Sequence, residues 1–200
     1  MVGVMPRRPL PLAEGPAERA DAARNRQKVL NAAREVFASK PPDQVTMDDI
    51  ARAAGVGRAT LYRRYPSVAA VAEALLDEHE RAIQQRMLAG EGNFSPTRPP
   101  SERLWALYEA LLELLDTHAA LVLGSEIGRA RYETGAYGVW HTYVRSLLDE
   151  AGIEHSRTMA DVLLAPLAAD LFLHVQSRRH GRRQLAAALR RLAVSVLDGR

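Results

Sequence analysis

Cysteine is absent from the 200-residue chain. That excludes a disulfide framework, a thiolate metal site and a cysteine nucleophile, and it fits a reducing compartment. Long apolar runs are missing too. The longest, Val162 to Ala169, has eight residues and contains Pro166, whereas a membrane helix needs about 20. Met1 to Leu12 carries Arg7 and Arg8 and is interrupted by proline and glycine, so no adequate signal-peptide core is present. Gly-x-Ser-x-Gly, P-loop and dinucleotide fingerprints do not occur, which leaves enzymatic chemistry without support. Among the histidines (His79, His118, His141, His155, His174 and His180) no two stand four apart, and none follows a glutamate by three. Helical zinc and di-iron sites therefore lack their ligand spacing, and no metal or cofactor is expected. Single histidines of this kind are expected at the surface or hydrogen-bonded in a core. Glu109 and Glu113, one turn apart, read as a solvated face. These absences together describe a soluble cytoplasmic protein with no membrane partner.

What is present is the balance of a globular chain, 47% hydrophobic and 26% charged. The net charge of +3 is unevenly spread. Ala17 to Pro66 holds ten Lys/Arg against six Asp/Glu, while Ser67 to Arg200 holds fifteen against seventeen. A basic N-terminal third on a near-neutral remainder suits a chain that meets a polyanion with one end.

No segment alternates with a period of two and no repeat occurs, so the expected fold is all-α. Residues 1–20 are rich in Pro, Gly and Arg without periodicity and read as a disordered arm, with Arg7, Arg8 and Arg19 as its basic residues. From Asp21 the pattern is helical, with Val29, Leu30, Ala33, Val36 and Phe37 on one stripe, ending at Pro41-Pro42. Thr46 is placed to cap a second helix, with Asp49 at capping-box spacing and with Ile50 and Ala53 pointing inward. Ala54-Gly55-Val56-Gly57 breaks that helix, and Arg58 to Tyr65 forms another short one closed by Pro66. Gly55 suits a left-handed backbone, and Val56 with Leu61 can wedge the two helices together. A short helix, a glycine turn and a second short helix make a helix-turn-helix pattern.

Ser67 then caps a long helix ending near Ala89-Gly90, and Gly92 to Pro100 reads as a loop. Further helices are expected over Ser101 to His118, from about Arg129 to Glu150, from Ser156 to Arg179 with a kink at Pro166, and over Arg182 to Leu197. A short apolar element, Ala119 to Gly124, separates the first two, and Gly181 separates the last two. The domain division that follows is residues 21–66 for the helix-turn-helix and residues 67–200 for a helical effector-binding and dimerisation domain.

The stretch Arg26 to Leu75 resembles the N-terminal DNA-binding domain of the tetracycline-repressor (TetR) family of bacterial regulators. The residues that carry the resemblance are Leu30-x-Ala32-Ala33 before Phe37, Thr46-Met47-x-x-Ile50-Ala51, Ala54-Gly55-Val56, Thr60-Leu61-Tyr62 and Tyr65-Pro66-Ser67. Pro41 stands where the family usually has glycine, and Gly57 where serine often caps the recognition helix. Val68-Ala69 replaces a common Lys-Glu. The resemblance implies that the usual phosphate contact at that lysine is lost here, or passes to Arg63 or Arg64.

On the recognition segment, Arg58, Ala59, Tyr62 and Arg63 can share an exposed face while Leu61 and Tyr65 turn to the core. Arg58 is placed for bidentate bonding to guanine O6/N7, with small Ala59 allowing close approach. Thr60 and Tyr62 offer hydroxyls to phosphates or base edges, and Thr46 offers one at a helix N-terminus. The expected DNA-binding set is Thr46, Gly57, Arg58, Ala59, Thr60, Tyr62, Arg63 and Arg64. The C-terminal aromatics Trp105, Tyr108, Tyr137, Trp140 and Phe172, with His141 as a polar handle, are candidates to line an effector pocket. Apolar residues spread around the last helices mark a homodimer interface at Val162, Leu163, Leu167, Leu171, Leu185, Leu189 and Leu192. The expectation is a dimeric transcriptional regulator, a repressor released from a near-palindromic operator by a small molecule. The alternative is a helical ligand-binding module or enzyme whose helix-turn-helix is only structural.

Overall fold

Apolar residues at three- and four-residue steps give each helix one buried stripe, and these stripes gather into two cores. The computed structural model describes residues 20–40, 44–125 and 135–199. The basic N-terminal arm, Pro41-Pro42 and the expected helix start at Arg129 lie outside the described residues. Among those described, no strand occurs, and the chain runs through α1 (Ala20–Ser39), α2 (Met47–Ala54), α3 (Arg58–Arg64), α4 (Val68–Ala89), α5 (Pro100–Ser125), α6 (Gly135–Glu150), α7 (Ser156–Leu164), α8 (Ala169–Gln176) and α9 (Gly181–Leu197). The all-α expectation holds, and no single described helix is long and apolar enough to cross a membrane.

The first core joins Val29, Leu30, Ala33 and Val36 of α1 to Met47, Ile50 and Ala51 of α2, Leu61 of α3, and Val71 and Leu75 of α4. Ala53, expected to point inward, is exposed; Ala51 takes the inward position, one residue after Ile50. The second core contains Ile83 and Met87 of α4 with residues of α5 to α9. Helix α4, 22 residues and so about 33 Å long, is the rod that enters both cores. Ser67 accepts a hydrogen bond from the Ala70 amide to start it, and Gly90, at φ 64°, ends it.

Four features differ from the sequence expectation. Helix α5 is continuous through Ala119–Gly124, because that stretch holds no residue that stops a helix before Gly124. The loop after α4 contains a 3₁₀ turn, Gly92–Phe94, which buries Phe94 in the second core. Pro166 breaks its helix rather than kinking it. Lacking an amide, Pro166 lies in a 3₁₀ turn over Ala165–Leu167. Ala168 is extended, and α8 restarts with a bend of 41°. Gly181 is the first residue of α9 rather than a break before it, and a Cβ there would meet the Val175 carbonyl oxygen at 1.7 Å. Only glycine allows the end of α8 and the start of α9 to approach so closely.

Charged residues tie the second core together at its margin. Arg103, almost wholly buried on α5, pairs with Glu150 at the end of α6. The Ser101 hydroxyl donates to Asp198 Oδ2 at 2.7 Å, joining the start of α5 to the end of α9.

Candidate nucleic-acid interface

The candidate interface is built on the start of α2. Thr46 is extended, and its hydroxyl oxygen accepts from the Asp49 amide at 3.2 Å while the Asp49 carboxylate accepts from the Thr46 amide at 2.9 Å. The Thr46 hydroxyl also lies 2.5 Å from Asp49 Oδ2, and Lys40 at the end of α1 pairs with the same oxygen. The Lys40 ammonium first, then the Thr46 donors, hold the Asp49 carboxyl well below the usual carboxylate range. The Thr46 hydroxyl is thus engaged in fixing α2. Lys40, masked in sequence by the two prolines that follow it, completes the arrangement.

Gly55 ends α2 in the left-handed region, φ 62°, and the Val56 amide donates to the Ala51 carbonyl at 3.1 Å. A Cβ at Gly55 would meet nothing within 4 Å. The requirement is therefore for the backbone angle and not for space. Gly57 is extended, and its carbonyl accepts from the Leu61 amide at 3.1 Å, starting α3 without a side-chain cap.

Helix α3 has a buried and an open side. Leu61 is 1% exposed and Tyr65, its C-cap, is buried beside it, with half-buried Val56 packed on the same core. Arg58, Ala59, Thr60, Tyr62, Arg63 and Arg64 are all exposed. The structure therefore brings Gly57 and these six residues to one short element, held rigidly by Leu61 and Tyr65. Arg63 and Arg64 also line a cleft of about 390 Å³ between α1 and α3, together with Arg26. Val68 is half-buried against the first core.

Sequence reasoning places Asp48 in the first turn of α2 but misses its contact with Arg58. Asp48 Oδ2 accepts from Arg58 Nη2 across the turn, pairing the start of α2 with the start of α3. Spacing could have suggested it, because both residues occupy the first turn of a helix in the same motif.

The six expected effector residues find different partners. Tyr108 is fully buried with its hydroxyl donating to the Leu163 carbonyl at 3.0 Å, and Trp140 and Phe172 are buried in the same core. Burial pushes the Tyr108 hydroxyl far above its ordinary range. Tyr137 donates to Asp161 Oδ1 at 2.7 Å, and His141 Nε2 lies 3.0 Å from the Arg157 carbonyl, so both turn toward α7. Trp105 carries the Arg190 guanidinium of α9 5.7 Å over its ring.

His118 departs from its expected surface or hydrogen-bonded setting. It is 2% exposed, and neither ring nitrogen has a hydrogen-bond partner among the described residues. His79 of α4 meets it edge-on, with ring centroids 5.5 Å apart. Desolvation, then His79 and Arg34, push the His118 pKa down to about 4.

Of the expected dimer residues, Leu163, Leu167 and Leu189 are buried in the protomer's own core. They leave no surface for a partner, because the spread of apolar residues around these helices partly reflects packing within one chain. Leu185 and Leu192 are half-buried, whereas Val162 is 55% and Leu171 39% exposed. Gln184, Ala187, Ala188, Arg191, Leu192 and Ser195 line an open groove of about 510 Å³ along α9. Their spacing of three and four residues makes it one face of the helix.

Residues 29–75 match the family described as bacterial regulatory proteins, tetR family. A transcriptional regulator of the helix-turn-helix type from Mycobacterium tuberculosis is 30% identical over 105 residues, 52% of this chain and 50% of the relative. Another, from Pseudomonas putida, is 34% identical over 65 residues, 32% of this chain and 48% of the relative. The chain thus matches about half the length of these relatives. Its fold is also that of solved regulators. A TetR/AcrR-family regulator of Thermobifida fusca superposes with TM-score 0.65 at 17% identity, covering 86% of this chain and 97% of that one. A TetR-family regulator of Mesorhizobium loti gives TM-score 0.59 at 21% identity, covering 90% and 98%. The matched relative from Mycobacterium tuberculosis and the superposed structure from Mesorhizobium loti are both described as transcriptional regulators.

Proposed function

We propose that this chain, a member of the tetR family of bacterial regulatory proteins by its residues 29–75, is a transcriptional repressor acting on DNA in the cytoplasm. The observation that carries the reading is the open side of α3, where Arg58, Ala59, Thr60, Tyr62, Arg63 and Arg64 stand exposed above the buried Leu61 and Tyr65. A helix of this kind enters the major groove, Arg58 reading a base edge while neighbouring hydroxyls and guanidinium groups set the register on phosphates. The Arg26–Arg63–Arg64 cleft supplies positive charge where Val68 supplies none.

Seven residues read too few bases for an operator, and a twofold dimer doubles the reading as a near-palindrome. The open face of α9, with exposed Ala187, Ala188 and Val194, supports that dimer, because small side chains let two helices approach closely. Residues 67–200 then hold a small-molecule effector among the C-terminal helices. The buried aromatics Tyr108, Trp140 and Phe172 support an apolar site there, with Trp105 and Tyr137 packed against the same core. An effector releases the operator only by as much as its affinity differs between the conformers.

The test is a band-shift assay of the full chain on promoter regions, its own first, with competitor DNA and a salt series. A regulator selects one region and its affinity falls linearly on a log scale with salt. No retention of any duplex at low salt would overturn the reading.

A further inference from the structure

The acidic partner of Arg58 needs a reason. Arg58 opens α3, where the helix dipole disfavours a cation, and the first turn of α3 contains no acidic residue to offset it. Asp48, ten residues earlier and on another helix, supplies the carboxylate. The pair is open to solvent, with Arg58 69% and Asp48 37% exposed, and exposed pairs of this kind contribute little to folding. Nor does α2 need Asp48 for its cap, which Asp49 and Thr46 complete. A carboxylate beside the recognition helix also repels phosphates, so it weakens general attraction to DNA.

We propose that Asp48 is a specificity-determining residue: it holds the Arg58 guanidinium for a base edge and penalises its use on phosphates. The proposal rests on the DNA-binding reading above. A guanidinium has five N–H donors in a planar fork. The contact with Asp48 uses Nη2, leaving the second Nη2 hydrogen and both Nη1 hydrogens for guanine O6 and N7. Arg58 is then held before it meets a base, and less rotamer freedom is lost on binding. To reach a phosphate instead, Arg58 must leave Asp48 and bring a bare carboxylate close to the backbone. Random duplex, which offers mainly phosphates, is disfavoured relative to the operator.

The full chain is compared with Asp48→Asn, Asp48→Glu, Arg58→Ala and the Asp48→Asn/Arg58→Ala double variant. The probes are the duplex that the wild type selects from a random pool and a scrambled duplex of equal length, across a salt series. Asp48→Asn should bind scrambled duplex more tightly, with a slope steeper by about one counterion per subunit. Its selected-to-scrambled ratio should fall about fivefold or more, the lower end of what one bidentate base contact discriminates. Asp48→Glu should retain a larger part of the ratio, and in the Arg58→Ala background Asp48→Asn should leave the ratio unchanged. A ratio unchanged by Asp48→Asn in the wild-type background overturns the proposal while leaving the DNA reading intact. An equal fall with and without Arg58 overturns it as well, since general repulsion would then suffice. A wild type that selects nothing and shows no salt-dependent retention removes both.

Discussion

The Thr46 hydroxyl and the Asp49 carboxylate cap the start of α2 reciprocally, each accepting the other's backbone amide, and Lys40 closes on the same carboxylate. Thr46→Ala should therefore act on the fold as well as on DNA. It should cost about 1 kcal/mol of stability and weaken all duplexes about equally, because it moves α2 and touches no base. Denaturant midpoints and paired binding curves check this. The sign with pH is fixed by Asp49, whose pKa lies below its ordinary 3.8. Its contribution is complete above that value and is lost as pH falls below it.

His118 gives a second acid sensitivity, in a higher window. Its ordinary value is 6.5 and its value in the fold is about 4, so the unfolded chain binds the extra proton between the two. Stability should fall as pH drops from 6.5 toward 4, by at most about 1.4 kcal/mol per pH unit for this proton. His118→Leu should flatten that part of the profile. Thermal unfolding at stepped pH is the measurement, and parallel profiles for the two chains would contradict the assignment.

The proposed dimer face is tested with exposed residues only. Ala188→Arg with Val194→Arg, both on the outer side of α9, should give a folded monomer without operator binding. Leu189→Arg, buried in the protomer, should instead unfold the C-terminal domain. Sedimentation and circular dichroism separate the two outcomes. A double variant that stays dimeric at micromolar concentration would place the interface elsewhere.

Val68→Lys tests the missing phosphate contact. Val68 is half-buried, but a lysine stem can lie along the core with its ammonium in water. Binding to any duplex should tighten, with a salt slope steeper by about one counterion per subunit. An unchanged slope would mean that α4 starts too far from the DNA backbone.

The helix-turn-helix was legible because each of its joints is a local event. Thr46 with Asp49, φ 62° at Gly55 and the inward Leu61 all follow from spacing and backbone preference within about 20 residues. The pairing of Asp48 with Arg58 is equally close in sequence, but it joins two helices, and periodicity along either one does not show it. The C-terminal half was less legible. Whether Leu163 or Leu189 faces its own core or a partner depends on which helices pack together, and periodicity along one helix carries no such information. The same holds for His118, whose burial comes from α4 lying across α5. Pro166 announced a disturbance, but its size, 41°, depends on the neighbours of α8.

Arg58 carries the central claim, that α3 reads bases rather than merely resting on phosphates. The deciding quantity is the ratio of affinities for the selected and the scrambled duplex, measured at one salt concentration for wild type and Arg58→Ala. Arg58→Ala should cost about 1–3 kcal/mol on the selected duplex and much less on the scrambled one, so the ratio should collapse. Equal losses on both duplexes, leaving the ratio unchanged, would contradict the account.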